Sequence, residues 1–362
     1  MGTSACQCLI GSDDHKNLQL NSANRQQNEE RKYSLTTEQK EKIRQHLPGI
    51  IKFQALYKGH STRKKLAQEY PRMFNSSPEP LVSKPTRRII QVVPDYSNAK
   101  IRATEEKLGP FDYSKQIANF DIPLEDLGPF ELSNGAIYIG QWTKDGLRCG
   151  KGTQYWPDGS KYEGYWKNDM ANGYGRLIHA DGDVYEGEWL NDKANGKGKY
   201  FHYNGAYYEG EWKDDVQHGH GFEGWPDNSN YEGSFVQGKK DGKGKLKWAD
   251  ESVYEGDFVD NHINGYGIYL WMDGRRYEGQ WKNNKMDGRG EFSWPDGRRY
   301  IGEYLDDKKH GKGNFIWPDG RKYEGEWVNG KQSGIGTYTY NEGKSRKGEW
   351  KDGKRTRWLD EV

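Results

Sequence analysis

The sequence is poor in the features that identify secreted, membrane-spanning or nucleic-acid-binding proteins. It has three cysteines, Cys6, Cys8 and Cys149, in 362 residues. This low, odd number and the lack of a signal-peptide pattern indicate a reducing cytoplasm. No apolar run approaches the ~18 residues of a membrane-spanning helix. The net charge is only +1, and no concentrated basic face suggests nucleic-acid binding.

Hydrophobic residues are also scarce, at 32% of the chain, yet aromatic residues make up 14% and glycine occurs 47 times. An intrinsically disordered chain would lack so many aromatic side chains. The composition therefore predicts a folded protein with a thin aromatic core, built from small units placed side by side. Residues 1–130 carry 20 Lys/Arg against 15 Asp/Glu, and residues 131–362 carry 35 against 39, so neither half is strongly basic.

The second half of the chain is a repeat. The pattern of Tyr208–Trp212, Tyr-Glu-Gly-x-Trp, recurs in nine copies from Tyr138 to Tyr323, with a first step of 24 residues and later steps of 23. Gly-x-Gly keeps the same step, and Asp-Gly or Asn-Gly follows it in most copies. Since Asn, Asp and Gly tolerate positive φ, each unit is predicted as strand, turn, strand, turn. A tenth copy is degenerate, with Arg346 at the tyrosine position.

Alternation along a strand predicts how each unit packs. Tyr162, Gly164 and Trp166 should lie on one face of the sheet, and Glu163 and Tyr165 on the other. Glycine between two aromatic residues leaves room for a neighbouring ring against the backbone. One hairpin alone is marginal in water, so stability should come from stacking of neighbouring hairpins.

These motifs resemble MORN repeats, and the resemblance covers residues 132–352. It implies a mostly β fold: an elongated single-layer antiparallel sheet of stacked hairpins, with a groove along one face, preceded by a helical or extended N-terminal region. At ~4.8 Å per strand, nine units would extend about 85–90 Å. The aromatic residues expected to line the groove and to hold a partner segment are Tyr162, Trp166, Tyr185, Trp189, Tyr208, Trp212, Tyr277, Trp281, Tyr323 and Trp327.

Four segments flank the array. Residues 1–33 are polar and are predicted to be disordered. Residues 34–70 are predicted to be helical, residues 71–131 to form an extended linker, and residues 353–362 to be a basic tail.

The first residues resemble an acylation signal. Gly2 suits myristoylation, although Cys6 stands where Ser or Thr is preferred, and Cys6 and Cys8 could take palmitate. Two lipid signals together anchor a protein stably, whereas one does not. The alternative is a flexible tail with two free thiols.

Residues 34–70 contain a second motif. Phe53-Gln54, Lys58-Gly59 and Arg63 have the spacing of an IQ motif, which resembles sites that bind calmodulin or another EF-hand protein. Its aromatic and basic side chains would suit an acidic EF-hand lobe. The alternative is a basic amphipathic helix that packs on the sheet or on another protein.

The stretch Tyr208–Phe222 contains residue types that ligate metals or transfer protons, including Glu211, His218 and His220. Aligned with the other repeats, these residues occupy positions that elsewhere hold Asn, Lys or Tyr. This alignment favours a structural role, and no metal or cofactor is expected. Known catalytic motifs are also absent from the sequence, so the chain is predicted not to be an enzyme.

The resemblance implies a protein-interaction scaffold, like the MORN arrays of ciliary radial spoke heads and of membrane–cytoskeleton junctions. Its partners would be structural proteins, and open sheet edges would allow a homodimer. The expected location is the cytoplasm, at a cilium or axoneme or at the cortical cytoskeleton. The alternative is a membrane tether that is acyl-anchored or binds phospholipid, regulated by a calmodulin-like protein. Arg275-Arg276, Arg298-Arg299 and Arg321-Lys322 would form a basic stripe for anionic lipid, unless the nearby Asp273, Asp296 and Asp319 neutralise them.

Overall fold

The computed structural model describes residues 88–115 and 121–359. These residues fall into two compact units, 88–249 and 250–359, and they contain 22 strands. Within each unit, consecutive strands pair antiparallel as hairpins. The predicted fold class, a mostly β antiparallel sheet of stacked hairpins, is therefore confirmed.

The first unit contains twelve strands and one helix. The helix is α1 (Ala99–Leu108), and a 3-10 turn follows it at Tyr113–Lys115. The strands are β1 (Arg88–Ile89), β2 (Leu124–Glu131), β3 (Ile137–Thr143), β4 (Arg148–Tyr155), β5 (Lys161–Lys167), β6 (Met170–Ile178), β7 (Val184–Leu190), β8 (Lys193–Phe201), β9 (Tyr207–Lys213), β10 (Val216–Gly224), β11 (Asn230–Val236) and β12 (Lys239–Lys247).

The second unit contains ten strands. They are β13 (Val253–Val259), β14 (His262–Leu270), β15 (Arg276–Lys282), β16 (Lys285–Ser293), β17 (Arg299–Leu305), β18 (Lys308–Ile316), β19 (Lys322–Val328), β20 (Lys331–Thr339), β21 (Ser345–Lys351) and β22 (Lys354–Trp358). The last strand falls within the predicted basic tail, where it pairs with β21.

Two kinds of turn alternate along the sheet. Between β5 and β6, Asn168 and Asp169 both have positive φ, at 50° and 65°, as a two-residue type I′ turn requires. Between β4 and β5, the Gly159 N–H donates to the Trp156 carbonyl oxygen at 2.9 Å, and Gly159 has a φ of 97°. A glycine in this conformation closes a longer hairpin loop at no steric cost.

Each type I′ turn also contacts the preceding repeat. Asp192, in the turn after β7, accepts a hydrogen bond from the Ala171 N–H at 2.7 Å. The Asp192 N–H in turn donates to the Ala171 carbonyl oxygen at 3.0 Å. Asp215 and Asn284 accept equivalent bonds, from the Ala194 and Ile263 N–H groups. The turn residues therefore join successive hairpins as well as closing their own.

Residues 71–131 were predicted to form an extended linker, but the described part of this segment contains regular secondary structure. It contains α1, where Asn98 caps the N-terminus by accepting hydrogen bonds from the Lys100 and Ile101 N–H groups. Gly109, with a φ of 68°, ends the helix. Asn as N-cap and Gly after the last turn are the usual end signals, and they were present in the sequence. Strand β2 lies in the same segment and pairs with β3, so it extends the sheet by one strand.

Candidate partner-binding face

The tyrosine and tryptophan side chains of the repeat pack edge to face against one another. In the first unit, the Tyr185 ring lies 5.1 Å from Trp189 and 5.2 Å from Trp212, with interplanar angles of 89° and 85°. Such edge-to-face pairs contribute about 0.5–1.5 kcal/mol beyond simple burial. The ladder of rings forms the core on one side of each unit, which we call the aromatic face.

Hydrogen bonds satisfy the polar atoms of Tyr185 and Trp189. The Trp189 indole N–H donates to the Gly175 carbonyl oxygen at 3.1 Å. The Tyr185 hydroxyl donates to the Glu188 carbonyl oxygen at 2.8 Å. The same two bonds recur in other repeats, for example from Trp281 and Tyr277.

The ten aromatic residues predicted to line a partner groove are all at most 6% exposed. Burial raises the pKa of the Tyr162 hydroxyl well above its ordinary value, as desolvation of an acid should. Rings enclosed in this way contact one another. The structure thus places these ten residues in the core.

The opposite side of each sheet carries Tyr174 and Glu186 in the first unit and Tyr266 and Glu278 in the second; we call it the groove face. In the first unit, a segment of the chain itself covers this face. The Phe111 ring stacks on Tyr174, at 5.9 Å and an interplanar angle of 18°, and Phe111 is 9% exposed.

Lys115 belongs to the same covering segment and bonds to the sheet beneath it. Its ammonium group donates to the Glu186 carboxylate and to the Tyr174 hydroxyl, the latter at 3.3 Å. Burial raises the pKa of Glu186, but the hydrogen bonds from Lys115, Arg176 and Tyr174 outweigh it and hold the pKa below its ordinary value. The carboxylate therefore stays charged and available to the lysine near neutral pH.

Helix α1 covers the groove face nearer the turns. Ile101 is buried against Ile178 and Val184, and the Thr104 hydroxyl donates to the Gly182 carbonyl oxygen at 3.3 Å. The Asn98 side-chain amide donates to the Ala180 carbonyl oxygen at 2.8 Å. Sequence-distant residues therefore cover this part of the first unit.

Within the described residues 250–359, no segment covers the groove face. A groove of about 800 Å³ runs along it, and several apolar side chains in it are exposed, among them Tyr266 at 51% and Ile335 at 54%. Five glutamates and two basic residues contribute to its lining. They are Glu278, Glu291, Glu303, Glu324 and Glu326, with Arg289 and Lys312.

Sequence reasoning missed these groove residues, although a signal was present. Tyr266 and Ile335 occupy the variable position between the two glycines of Gly-x-Gly, where most repeats carry a polar residue. Ile301 replaces the glutamate of Tyr-Glu-Gly. Apolar residues at positions that are otherwise polar indicate a surface that contacts something.

The predicted basic stripe is neutralised by its own turns. Arg275, Arg298 and Arg321 each donate to the aspartate two residues earlier in the same turn, with Nε–Oδ2 distances of 2.7 Å. Each guanidinium also lies over a tryptophan ring, at 5.3–5.6 Å. These three arginines are therefore engaged within the protein, which favours neutralisation by the nearby aspartates for this part of the predicted stripe.

Glu211, in the stretch Tyr208–Phe222, has a structural role. The Glu211 carboxylate accepts a hydrogen bond from the His220 backbone N–H at 3.0 Å, which supports the local break in register between β9 and β10. In the second unit, the Gln280 and Asp257 side chains accept equivalent hydrogen bonds from the Arg289 and Tyr266 backbone N–H groups. In residues 88–115 and 121–359, no cluster of three or more His, Cys, Asp or Glu could hold a metal ion.

One buried ion pair lies outside this pattern. Glu223, 1% exposed, accepts a hydrogen bond from the Lys240 ammonium group, which lies 4.9 Å from the centre of the Tyr231 ring. Burial raises the pKa of Glu223, and Lys240 opposes that rise. A carboxylate whose pKa is raised by burial can mark a catalytic site, but Glu223 is enclosed among aromatic core residues, as a structural carboxylate is.

Two predicted sites lie outside the described residues. They are the acylation signal at Gly2, Cys6 and Cys8 and the IQ-like motif at Phe53, Gln54, Lys58, Gly59 and Arg63. Within the part of the chain that the structure describes, no helix has both the length and the apolar character needed to cross a bilayer.

The hairpins recur at a fixed step, and within each unit each one pairs with the next. This arrangement is that of a repeat protein. Comparison with protein families identifies the repeat: the MORN repeat model matches ten successive segments, at residues 138–161, 162–184, 185–207, 208–230, 231–253, 254–275, 277–298, 300–320, 323–345 and 347–356. The chain belongs to the MORN-repeat family. A search of curated proteins found no match.

Several solved structures resemble parts of the chain. The TCP domain of Drosophila melanogaster SAS-4 (dCPAP), solved with a proline-rich motif of Ana2 (dSTIL), is 16% identical, with a TM-score of 0.28; the match covers 43% of this chain and 85% of that one. A mutant TCP10 domain of Danio rerio CPAP is 15% identical, with a TM-score of 0.33, over 57% of this chain and 97% of that one. Neither likeness bears on function.

Proposed function

We propose that the protein is a non-enzymatic scaffold whose second unit binds segments of partner proteins along its groove face. The observation that carries this proposal is the open groove of about 800 Å³, with Tyr266, Ile301 and Ile335 exposed in it. Tyrosine and aliphatic side chains at a concave surface supply contact area for a partner. The excess of glutamates favours a basic partner segment, because complementary charge speeds encounter and selects the partner.

The first unit supports the proposal. There the groove face holds residues 109–115 through ring stacking and an ion pair. The same face of the repeat is thus able to bind a short segment that is not itself a repeat strand. A partner would bind to the second unit through the same kinds of contact.

We further propose that the partners are structural proteins of a cilium or axoneme, or of the membrane-associated cortical cytoskeleton. The support for this location is the resemblance of the repeats to those of radial-spoke-head and junctional proteins. Imaging of the tagged full-length chain in its native cell tests it. Signal along axonemes or at the cortex is expected, and a uniformly dispersed signal would contradict the proposal.

Capture of partners by the full-length chain tests the scaffold function. Ile301→Lys/Ile335→Lys places two charges in the groove, whereas Leu305→Lys/Val328→Lys places the same charges on exposed residues that do not line it. We expect the wild-type chain and the control to retain the same proteins, and the groove variant to lose them. Retention of the same proteins by all three would overturn the proposed function.

A further inference from the structure

The covered face of the first unit and the open face of the second share one pair of residues. Tyr266 and Glu278 lie exactly four repeats, 92 residues, after Tyr174 and Glu186. The pairs also have the same geometry: the Tyr174 hydroxyl donates to Glu186 at 2.9 Å, and the Tyr266 hydroxyl donates to Glu278 at 3.0 Å.

The carboxylates of the two pairs have similar local partners. Glu186 also accepts a hydrogen bond from Arg176, at 2.7 Å. Glu278 also accepts one from Arg276, and both hydrogen bonds lower its pKa, with Arg276 contributing more than Tyr266. Each carboxylate therefore accepts hydrogen bonds from one tyrosine and one arginine, although Arg276 stands at the repeat position of Val184 and not at that of Arg176.

The pairs differ in what lies over them. Phe111 and Lys115 of the chain cover the first pair. Tyr266 is 51% exposed, and its ring lines the open groove together with Glu278. Beside Tyr266, Ile268 stands at the position of Arg176, which lies 5.5 Å from the Phe111 ring. An aromatic ring placed on Tyr266 would therefore meet an aliphatic side chain there.

We infer that Tyr266 and Glu278 form a docking site for a short partner segment with an aromatic residue followed four positions later by a lysine. This inference rests on the proposed function and specifies the chemistry of the partner. The aromatic ring stacks on Tyr266 as Phe111 does on Tyr174. The lysine donates to Glu278 and to the Tyr266 hydroxyl, as Lys115 does in the first unit. The acidic lining of the groove favours the same cation.

The chain supplies the probe that tests this inference. A labelled synthetic peptide, Gly-Pro-Phe-Asp-Tyr-Ser-Lys, has the sequence of residues 109–115, and its binding to the full-length protein is followed by fluorescence polarisation. A zero-length carbodiimide cross-linker, which joins amines to carboxylates, is then applied and the products are mapped by mass spectrometry. A cross-link from the peptide lysine to Glu278 is expected.

Two charge reversals in the groove provide a matched comparison. Glu278→Lys should weaken peptide binding about fivefold or more, because it replaces an attractive charge pair by a repulsive one. Glu324→Lys is the control, since Glu324 lies two repeats later at the same repeat position, with Lys312 in place of the tyrosine. A peptide with Glu in place of its lysine should bind the Glu278→Lys variant better than the wild type.

Several outcomes would overturn the inference. One is equal loss of affinity in both variants, and another is no binding of the peptide at millimolar concentration. A cross-link from Glu278 to a lysine of residues 1–87 within one chain would assign the site to the protein's own N-terminal region. A dimer that Glu278→Lys converts to monomer would assign it to a second copy. If native partners still require Ile301 and Ile335 in any of these cases, the scaffold function stands and only the docking motif is wrong.

Discussion

The Trp189 indole N–H donates to the carbonyl oxygen of Gly175, 14 residues earlier, at 3.1 Å. This bond joins the first strand of one repeat to the second strand of the repeat before it. The tryptophan is only 6% exposed, so the side chain that defines the repeat motif is a contact between hairpins. Burial of such residues is the reason that partner contact is assigned to the groove face.

Truncation of this tryptophan should therefore destabilise the protein. We expect Trp189→Ala to lower the free energy of unfolding by about 3–5 kcal/mol, the usual cost of removing a large buried aromatic side chain. Urea unfolding followed by circular dichroism measures the change. Leu190→Ala is the control, because Leu190 is 49% exposed and its truncation should change stability by less than about 0.5 kcal/mol. Equal effects of the two substitutions would contradict the assignment of Trp189 to the core.

The second glycine of Gly-x-Gly should not tolerate a side chain. A Cβ atom on Gly175 would lie 2.3 Å from the Tyr162 hydroxyl oxygen, so the tyrosine ring would have to move out of its packed position. We expect Gly175→Ala to cost about 1–3 kcal/mol, as overpacking of a core usually does. Gly128→Ala is the comparison, since no atom lies within 4 Å of its added Cβ. Thermal unfolding of both variants should show a lower Tm for Gly175→Ala alone.

The turn aspartate should be replaceable by asparagine but not by alanine. Asp192 has a φ of 64° and accepts the hydrogen bond from the Ala171 N–H. Asn284 holds the equivalent position in the second unit and makes the equivalent bond. We expect Asp192→Asn to be nearly neutral and Asp192→Ala to cost about 1–3 kcal/mol, because a buried donor loses its partner and alanine disfavours positive φ. Similar unfolding midpoints for the two variants would refute the role of the side chain.

Docking of the covering segment should depend on pH through Glu186. Its pKa is lowered in the folded protein, so its charged form contributes stability above its unfolded pKa of about 4.3. That contribution is lost as pH falls through the lower folded pKa. We expect Glu186→Gln to be less stable than wild type at pH 7, and the difference to shrink below about pH 4.3. Urea unfolding of both proteins between pH 7 and pH 3 provides the comparison, and a constant difference would disprove a contribution of the Glu186 charge to stability.

Local sequence patterns were sufficient to predict the hairpins and the sharing of one face by Tyr162, Gly164 and Trp166. Alternation also predicted that Tyr165 lies on the other face, but it did not predict that this side chain is buried. Tyr165 is covered because its hydroxyl donates to the carbonyl oxygen of Tyr113 at 3.0 Å. Since Tyr113 is 52 residues away, outside the repeat, no local pattern could indicate the contact.

The candidate site was harder to predict for the same reason. Periodicity assigns Tyr174 and Tyr266 to the same face and the same repeat position. Whether such a tyrosine is available to a partner depends on tertiary contacts: residues 109–115 cover Tyr174, whereas Tyr266 is 51% exposed. The abundance of tyrosine and tryptophan suggested an aromatic groove. Those rings are instead buried in the core, where they pack edge to face. The exposed apolar residues of the groove stand at positions where the sequence departs from the motif.

The central claim is that partners contact the groove face and not the aromatic face. Hydroxyl-radical footprinting tests this claim most directly, when it is applied to the full-length protein alone and with the labelled peptide. Tyr266 is 51% exposed and Tyr277, on the neighbouring strand, is fully buried. We expect Tyr266 to be oxidised in the free protein and protected by the peptide, while Tyr277 stays unreactive in both samples. The opposite result would be that Tyr277 is oxidised in the free protein and protected by the peptide, with no change at Tyr266. It would show that the aromatic face binds the partner and would contradict the account.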